Sequence, residues 1–195
     1  MGAPEPDHVL WQRAAAFAAR MHHAHVRKDG RTPYFAHPAR VAMVVRDVFE
    51  CADPVAIAAA YLHDTLEDTP ADYDDLAEHF GTDVADLVAA LSKNMLLPEH
   101  EREQDYDRRL ASARWTARLV KLADVLDNAQ DLATRADGTD GDVLHRHLER
   151  MDRAIELAGG DAGDQPAVQR AISAVKAARS RLSADAAAQA RHAAS

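Results

Sequence analysis

The chain is short of most features that mark a secreted, membrane-spanning or sheet-built protein. Of its 195 residues only Cys51 is a cysteine, so no intramolecular disulfide can form. Aromatic residues make up 5% although hydrophobic ones reach 47%, with alanine foremost. That balance favours closely packed helices over aromatic-rich sheets, and almost no strand is expected. No uninterrupted apolar run approaches the roughly 20 residues that span a bilayer, because charges interrupt every candidate stretch. The first residues lack a basic start followed by an apolar core, so a soluble, cytoplasmic protein is expected. Basic residues are outnumbered: 23 Lys and Arg against 32 Asp and Glu give a net charge of −9. A nucleic-acid surface is therefore disfavoured, and an anionic substrate would need a local basic patch or a cation.

What the sequence does contain is helical patterning. A chain of this length can bury roughly 70% of its unfolded surface in one domain, and a second catalytic domain has no room. Asp7 is a plausible N-cap for a helix to about Arg27, with Leu10, Ala14, Phe17, Ala18 and Met21 on one face. The segment Lys28-Asp29-Gly30-Arg31-Thr32-Pro33 ends it in a basic loop. A second helix carries Pro38 in its first turn, turns Val41, Val44, Val45 and Val48 to the core, and ends near Glu50. Asp53-Pro54 opens a third, which carries His63, Asp64, Glu67 and Asp68 at its end. Short helices follow at Tyr73 to Phe80 and Asp83 to Ser92, separated by Gly81, and then a polar stretch from Lys93 to Gln104 that could close as a flap. Long helices are expected from Ser112 to Thr134, Asp142 to Leu157 and Gln165 to Ser183, with Gly138 and Gly141 in one exit loop and residues 159–163 as a linker.

The informative residues are ligand-type side chains inside apolar words: Ala36-His37-Pro38, Leu62-His63-Asp64 and Ala123-Asp124-Val125. An unpaired buried carboxylate is costly unless a cation compensates it. Imidazole with carboxylate suits a divalent first-row ion such as manganese, iron or zinc, and neighbours on a helix differ by about 100°, so His63 and Asp64 can straddle one ion. His37, His63, Asp64 and Asp124 are thus the expected metal ligands. Such an ion acidifies water and polarises a phosphoryl oxygen. Glu67 and Asp68 fall four residues after His63 and Asp64, which makes them the expected acid/base pair. Asn128, four after Asp124, suits ribose or phosphate contact or support of the ligand. Arg27, Lys28 and Arg31 supply the only basic run near the site. His22, His23 and His25 read as a solvated or substrate-edge face rather than a second metal site, and the Asp72 to Asp75 run as helix-start charge.

These words carry a family resemblance. His63-Asp64 resembles the dyad that names the HD phosphohydrolase superfamily. Arg27 to Tyr34 followed by His37-Pro38, AAAYLHDTLEDT at Ala58 to Thr69, and VKLADVLDNAQDL at Val120 to Leu132 resemble the hydrolase domains of the RelA/SpoT type, over about Phe17 to Leu132. The absence of a synthetase domain makes the chain similar to stand-alone small alarmone hydrolases, the metazoan SpoT homologue among them. The resemblance implies an all-α, single-domain HD-type bundle of about eight to ten helices. It implies removal of the 3′-pyrophosphate of (p)ppGpp to give GDP or GTP, with Mn²⁺ on His37, His63, Asp64 and Asp124, Glu67 and Asp68 catalytic, and Arg27, Lys28 and Asn128 on the substrate. It parses the chain into a leader at residues 1–6, the hydrolase domain at 7–158, a linker and packed helix at 159–183, and a frayed tail at 184–195. Two departures stand out: Asp127 precedes Asn128 where an aromatic or His is common, and the following helix has no evident match for a substrate-contacting Tyr, His147 or Leu148 falling nearest. They leave an alternative substrate open, another nucleotide such as NADPH or another phosphate ester.

Overall fold

Among the described residues of the computed structural model, 6–134, 140–160 and 164–193, regular structure is helical apart from one isolated bridge between Val26 and Pro33. The helices in order are α1 Asp7–Met21, α2 Ala36–Met43, α3 Pro54–Leu62, α4 Thr65–Asp68, α5 Tyr73–Phe80, α6 Thr82–Leu91, α7 Glu99–Ser112, α8 Trp115–Ala133, α9 Gly141–Ala158 and α10 Pro166–Ala193. Residues 1–5 of the expected leader, Gly138 in the exit loop, residues 161–163 of the linker and residues 194–195 of the tail lie outside the described residues. No described helix is long and apolar enough to cross a membrane.

Two helices make the centre. Helix α3 buries Ala56, Ile57, Ala58, Ala59, Ala60 and Leu62, so it is apolar on nearly every side, and its small side chains admit α1, α2 and α6 against it. Asp53 caps it by accepting from the Val55 N–H at 2.9 Å, with Pro54 in the first turn where a missing N–H costs nothing. Helix α8 lies beside α3 and receives α2, α6, α9 and α10 on its other faces.

Several boundaries differ from expectation, each for a local reason. Helix α1 stops at Met21, not near Arg27, because the chain turns at His22 to Ala24, where Ala24 takes a left-handed φ of 67°. The loop that follows is braced: Arg27 N–H donates to Thr32 O and Tyr34 N–H to His25 O, both at 2.8 Å. The Asp29 carboxylate accepts from the backbone of Arg31 and Thr32 and from the Thr32 hydroxyl, around Gly30 at φ 69°. After α2 the turn Val44–Val48 widens into a π-helical step, with Phe49 N–H reaching Val44 O. The third helix is broken at the dyad: α3 ends and α4 begins around His63 and Asp64, where the Thr65 hydroxyl turns back to Leu62 O at 2.7 Å. The segment expected as a flap is divided between a loop at residues 93–98 and the first turns of α7. Helix α10 runs on through residues 184–193, where a frayed tail was expected, on an alanine-rich sequence of high helix propensity.

Two buried or half-buried arginines tie α7 down. Arg118 of α8 donates Nη1 to the carbonyls of Leu110, Ala111 and Ala113, taking up orphan acceptors at the C-terminus of α7. Arg109 donates to Ala89 O and Ser92 O at the end of α6. At the opposite corner, Arg170 of α10 donates Nε to Phe49 O at 2.9 Å, just beyond α2.

Candidate active site

Three elements bring the expected ligands together. His37 comes from the first turn of α2, His63 and Asp64 from the break between α3 and α4, and Asp124 from the middle of α8. One donor atom from each of His37, His63 and Asp124 lies within 4.8 Å of the others. Asp64 Oδ2 is 3.1 Å from His63 Nε2 and 3.6 Å from His37 Nε2, and Asp124 Oδ1 is 3.3 Å from His37 Nε2. Ligands held at roughly 2.1 Å from one ion stand about 3–4 Å apart, so this spacing suits a single divalent cation.

Hydrogen bonds fix which nitrogens face the cluster. His63 Nδ1 donates to Ala60 O at 2.9 Å, because a carbonyl only accepts. Its Nε2 therefore faces the cluster, buried and with no hydrogen-bond partner. His37 Nδ1 donates to Asp127 Oδ2 at 2.7 Å, which turns its Nε2 inward as well. An unpartnered imidazole nitrogen buried among carboxylate oxygens fits a shared cation, which satisfies both kinds of atom at once.

The field agrees with that geometry. Burial alone would push His37 down, yet the hydrogen-bonded carboxylates of Asp124 and Asp127 carry it up to about 9, and a field that favours a proton at Nε2 favours a metal cation there. Burial would raise Asp64 and Asp124. The His63 imidazole beside Asp64, and the Lys121 ammonium 2.8 Å from Asp124 Oδ2, outweigh it and hold both carboxyls ionised. Asn128 donates Nδ2 to Asp124 Oδ1 at 2.6 Å and accepts from Arg27 at 3.0 Å.

Glu67 and Asp68 lie on α4 and line a pocket of about 260 Å³. Glu67 accepts from the Lys93 N–H at 2.9 Å, so the loop at 93–98 is anchored to it. Asp68 is raised above the ordinary carboxylate range, first by burial and then by the charge of Asp64. Every expected site residue lines the pocket except Lys28, which is exposed outside it.

Several participants were missed. The Tyr34 hydroxyl donates to Asp64 Oδ2 at 2.7 Å and lies 3.3 Å from Asp68 Oδ2. The Arg27 to Arg31 run is not the only basic compensation: Lys93 of the loop at 93–98, Lys121 of α8, and Arg150 and Arg153 of α9 line the pocket from three separate stretches. Asp127, in the sequence only a departure from the common pattern, is the carboxylate partner of His37, and Arg40 binds it in turn. Spacing carried a signal for Lys121 and Asp127, each three residues from Asp124 on one helix, and for Arg40, three after His37; only the packing of α2 on α8 makes them meet. His22 is buried against the Tyr34 ring, with Nδ1 3.4 Å from that of His25, and His22, His23 and His25 join no metal-type grouping among the described residues.

Comparison with known proteins matches a family model described as HD domain to residues 14–148. Over 160 residues the chain is 37% identical to guanosine-3′,5′-bis(diphosphate) 3′-pyrophosphohydrolase MESH1 of Mus musculus and 36% identical to that of Homo sapiens, covering 82% of this chain and 88% of each relative. A solved structure described as a metazoan ortholog of SpoT that hydrolyzes ppGpp and plays a role in starvation responses matches with a TM-score of 0.72 at 26% identity. The match covers 90% of this chain and 97% of the other.

Proposed function

The chain belongs to the HD-domain family, and on that premise we propose that it is a metal-dependent hydrolase of (p)ppGpp that removes the 3′-pyrophosphate and leaves GDP or GTP. The observation that carries the metal-dependent part is His63 Nε2, buried and without a hydrogen-bond partner beside Asp64, His37 and Asp124. The substrate follows from the pyrophosphohydrolases the chain resembles over most of its length. The functional unit on this reading is residues 7–158 with the segment 159–183 packed on it, acting in the cytoplasm.

His37, His63, Asp64 and Asp124 would hold the ion, Mn²⁺ in this proposal. Bound there, the ion supplies Lewis-acid activation of water and of the phosphoryl group under attack. Glu67 takes the proton of the attacking water, whose oxygen joins the phosphorus next to O3′ as the O3′–P bond breaks. Asp68, its pKa raised, holds a proton at neutral pH more readily than an ordinary carboxyl and gives it to the departing O3′. Tyr34 orients both Asp64 and Asp68 through one hydroxyl. Arg27 and Asn128, hydrogen-bonded to each other, face the ribose and phosphates, and Lys28, exposed outside the pocket, is proposed as a further substrate contact.

One observation favours a second reading. The α9 wall presents His147, Arg150 and Arg153 to the pocket and no phenyl or indole ring, a surface that selects phosphate more than base. NADPH or another phosphate ester is the substrate under that reading. A panel of these compounds with pure protein and Mn²⁺ separates the two: pyrophosphate release from ppGpp, lost in His63→Ala and Asp64→Ala, is expected, and turnover of another ester alone overturns the ppGpp reading.

A further inference from the structure

Asp127 occupies the position where this chain departs from the pattern it otherwise resembles, and the structure gives it a defined set of contacts. Its side chain is 1% exposed. Oδ2 accepts from His37 Nδ1 at 2.7 Å and from Arg40 Nη2 at 3.0 Å, while Oδ1 accepts from Arg40 Nε at 2.5 Å. Arg40 and His37 sit one turn apart on α2, and Asp127 and Asp124 one turn apart on α8, so the two helices face each other through one ladder of donors and acceptors. Arg40 Nη2 also lies 3.7 Å from Asp131, the next turn of α8.

We propose that the Arg40–Asp127 pair is a positioning device that holds His37 in its Nδ1–H form and thereby sets how tightly the site binds a divalent metal. This rests on the metal-site reading above and extends it to two residues outside the ligand set. An ionised carboxylate accepts and never donates, so His37 must carry a proton on Nδ1, which leaves Nε2 as the nitrogen that can take a metal. Hydrogen bonding to the carboxylate also raises the basicity of that lone pair. Arg40 keeps Asp127 ionised in a buried place and fixes its plane, because its fork reaches both oxygens. An amide at position 127 cannot satisfy both partners. With its oxygen toward His37 it turns an NH₂ on the Arg40 Nε–H, and with its NH₂ toward His37 it forces the imidazole into the Nε2–H form, which has no lone pair for a metal.

The test is isothermal titration of the full-length protein with Mn²⁺, comparing the natural chain with Asp127→Asn, Arg40→Ala and Arg40→Lys. Proton–nitrogen spectra of Zn²⁺-loaded, histidine-labelled protein are recorded alongside. Mn²⁺ affinity is expected to fall about 10- to 100-fold in Asp127→Asn, less in Arg40→Ala, and to recover partly in Arg40→Lys; the His37 Nδ1–H signal of the natural chain is expected to be lost or shifted in Asp127→Asn. Should Asp127→Asn fail to fold by circular dichroism, Arg40→Ala, whose side chain is partly exposed, carries the comparison. Unchanged Mn²⁺ affinity with only a lower unfolding midpoint means a helix-to-helix brace and overturns the inference alone. Absence of Mn²⁺ binding by the natural chain overturns both the inference and the metal-dependent function.

Discussion

The Tyr34 hydroxyl donates to Asp64 Oδ2 at 2.7 Å, joining a loop residue to half of the dyad. Tyr34 itself is held by the His25 carbonyl, by the His22 ring 4.7 Å away and by the Arg27 guanidinium over its face. Tyr34→Phe keeps the ring and removes the donor. Turnover is expected to fall about 10-fold with little change in KM, because the lost contact orients the site rather than the substrate. Steady-state kinetics on folded protein check it, and an unchanged kcat counts against the role.

Loading the site with metal should stabilise the fold. At about 100 times its Kd, Mn²⁺ is expected to add about 2.7 kcal/mol to unfolding, since the three ligand-bearing elements come together only in the folded chain. Asp124→Asn should abolish the increment in urea titrations with and without Mn²⁺. A natural chain whose midpoint ignores the metal contradicts the site.

Arg118 is 1% exposed and serves three carbonyls at the end of α7. Arg118→Met fills similar volume but strands those acceptors, and a loss of about 2–3 kcal/mol is expected in chemical denaturation. A loss below half a unit would mean that water replaces the guanidinium.

His22 gives a pH dependence with a definite sign. Burial lowers it from 6.5 to about 4, so the unfolded chain binds its proton first as pH falls. The stability tied to its neutral form is present above about pH 6.5 and is lost progressively toward pH 4, about 1–2 kcal/mol by pH 5. His22→Phe, which keeps a ring against Tyr34, should flatten that part of the profile between pH 7 and 5. An identical profile in the variant rules His22 out as the source.

Much of this was legible in the sequence because helices announce themselves locally. The Asp53-Pro54 start, the Gly81 break at φ 84° and the apolar faces of α3 and α8 are written within a turn or two of each residue. The proposed ligands were legible as polar residues in apolar words. What was not legible depends on contacts across helices. Thr65 could have continued a helix or broken it, and in the fold its hydroxyl bonds Leu62 O where the break falls. Arg40 and Asp127 are 87 residues apart, and Arg150 and Arg153 reach the pocket only because α9 packs on α8.

The break between α3 and α4 bears on where this chain can gain or lose residues. A single residue inserted between Leu62 and Thr65 would rotate everything after it by about 100° and shift it about 1.5 Å along the axis, sending Asp64 or Glu67 away from His37 while leaving composition and hydropathy almost untouched. The loops at residues 28–32 and 94–97 close on themselves and can absorb a change of length. Length changes compatible with a working enzyme are therefore expected in those loops and not within residues 54–68, and a library of one-residue insertions scanned along the chain would draw that boundary directly.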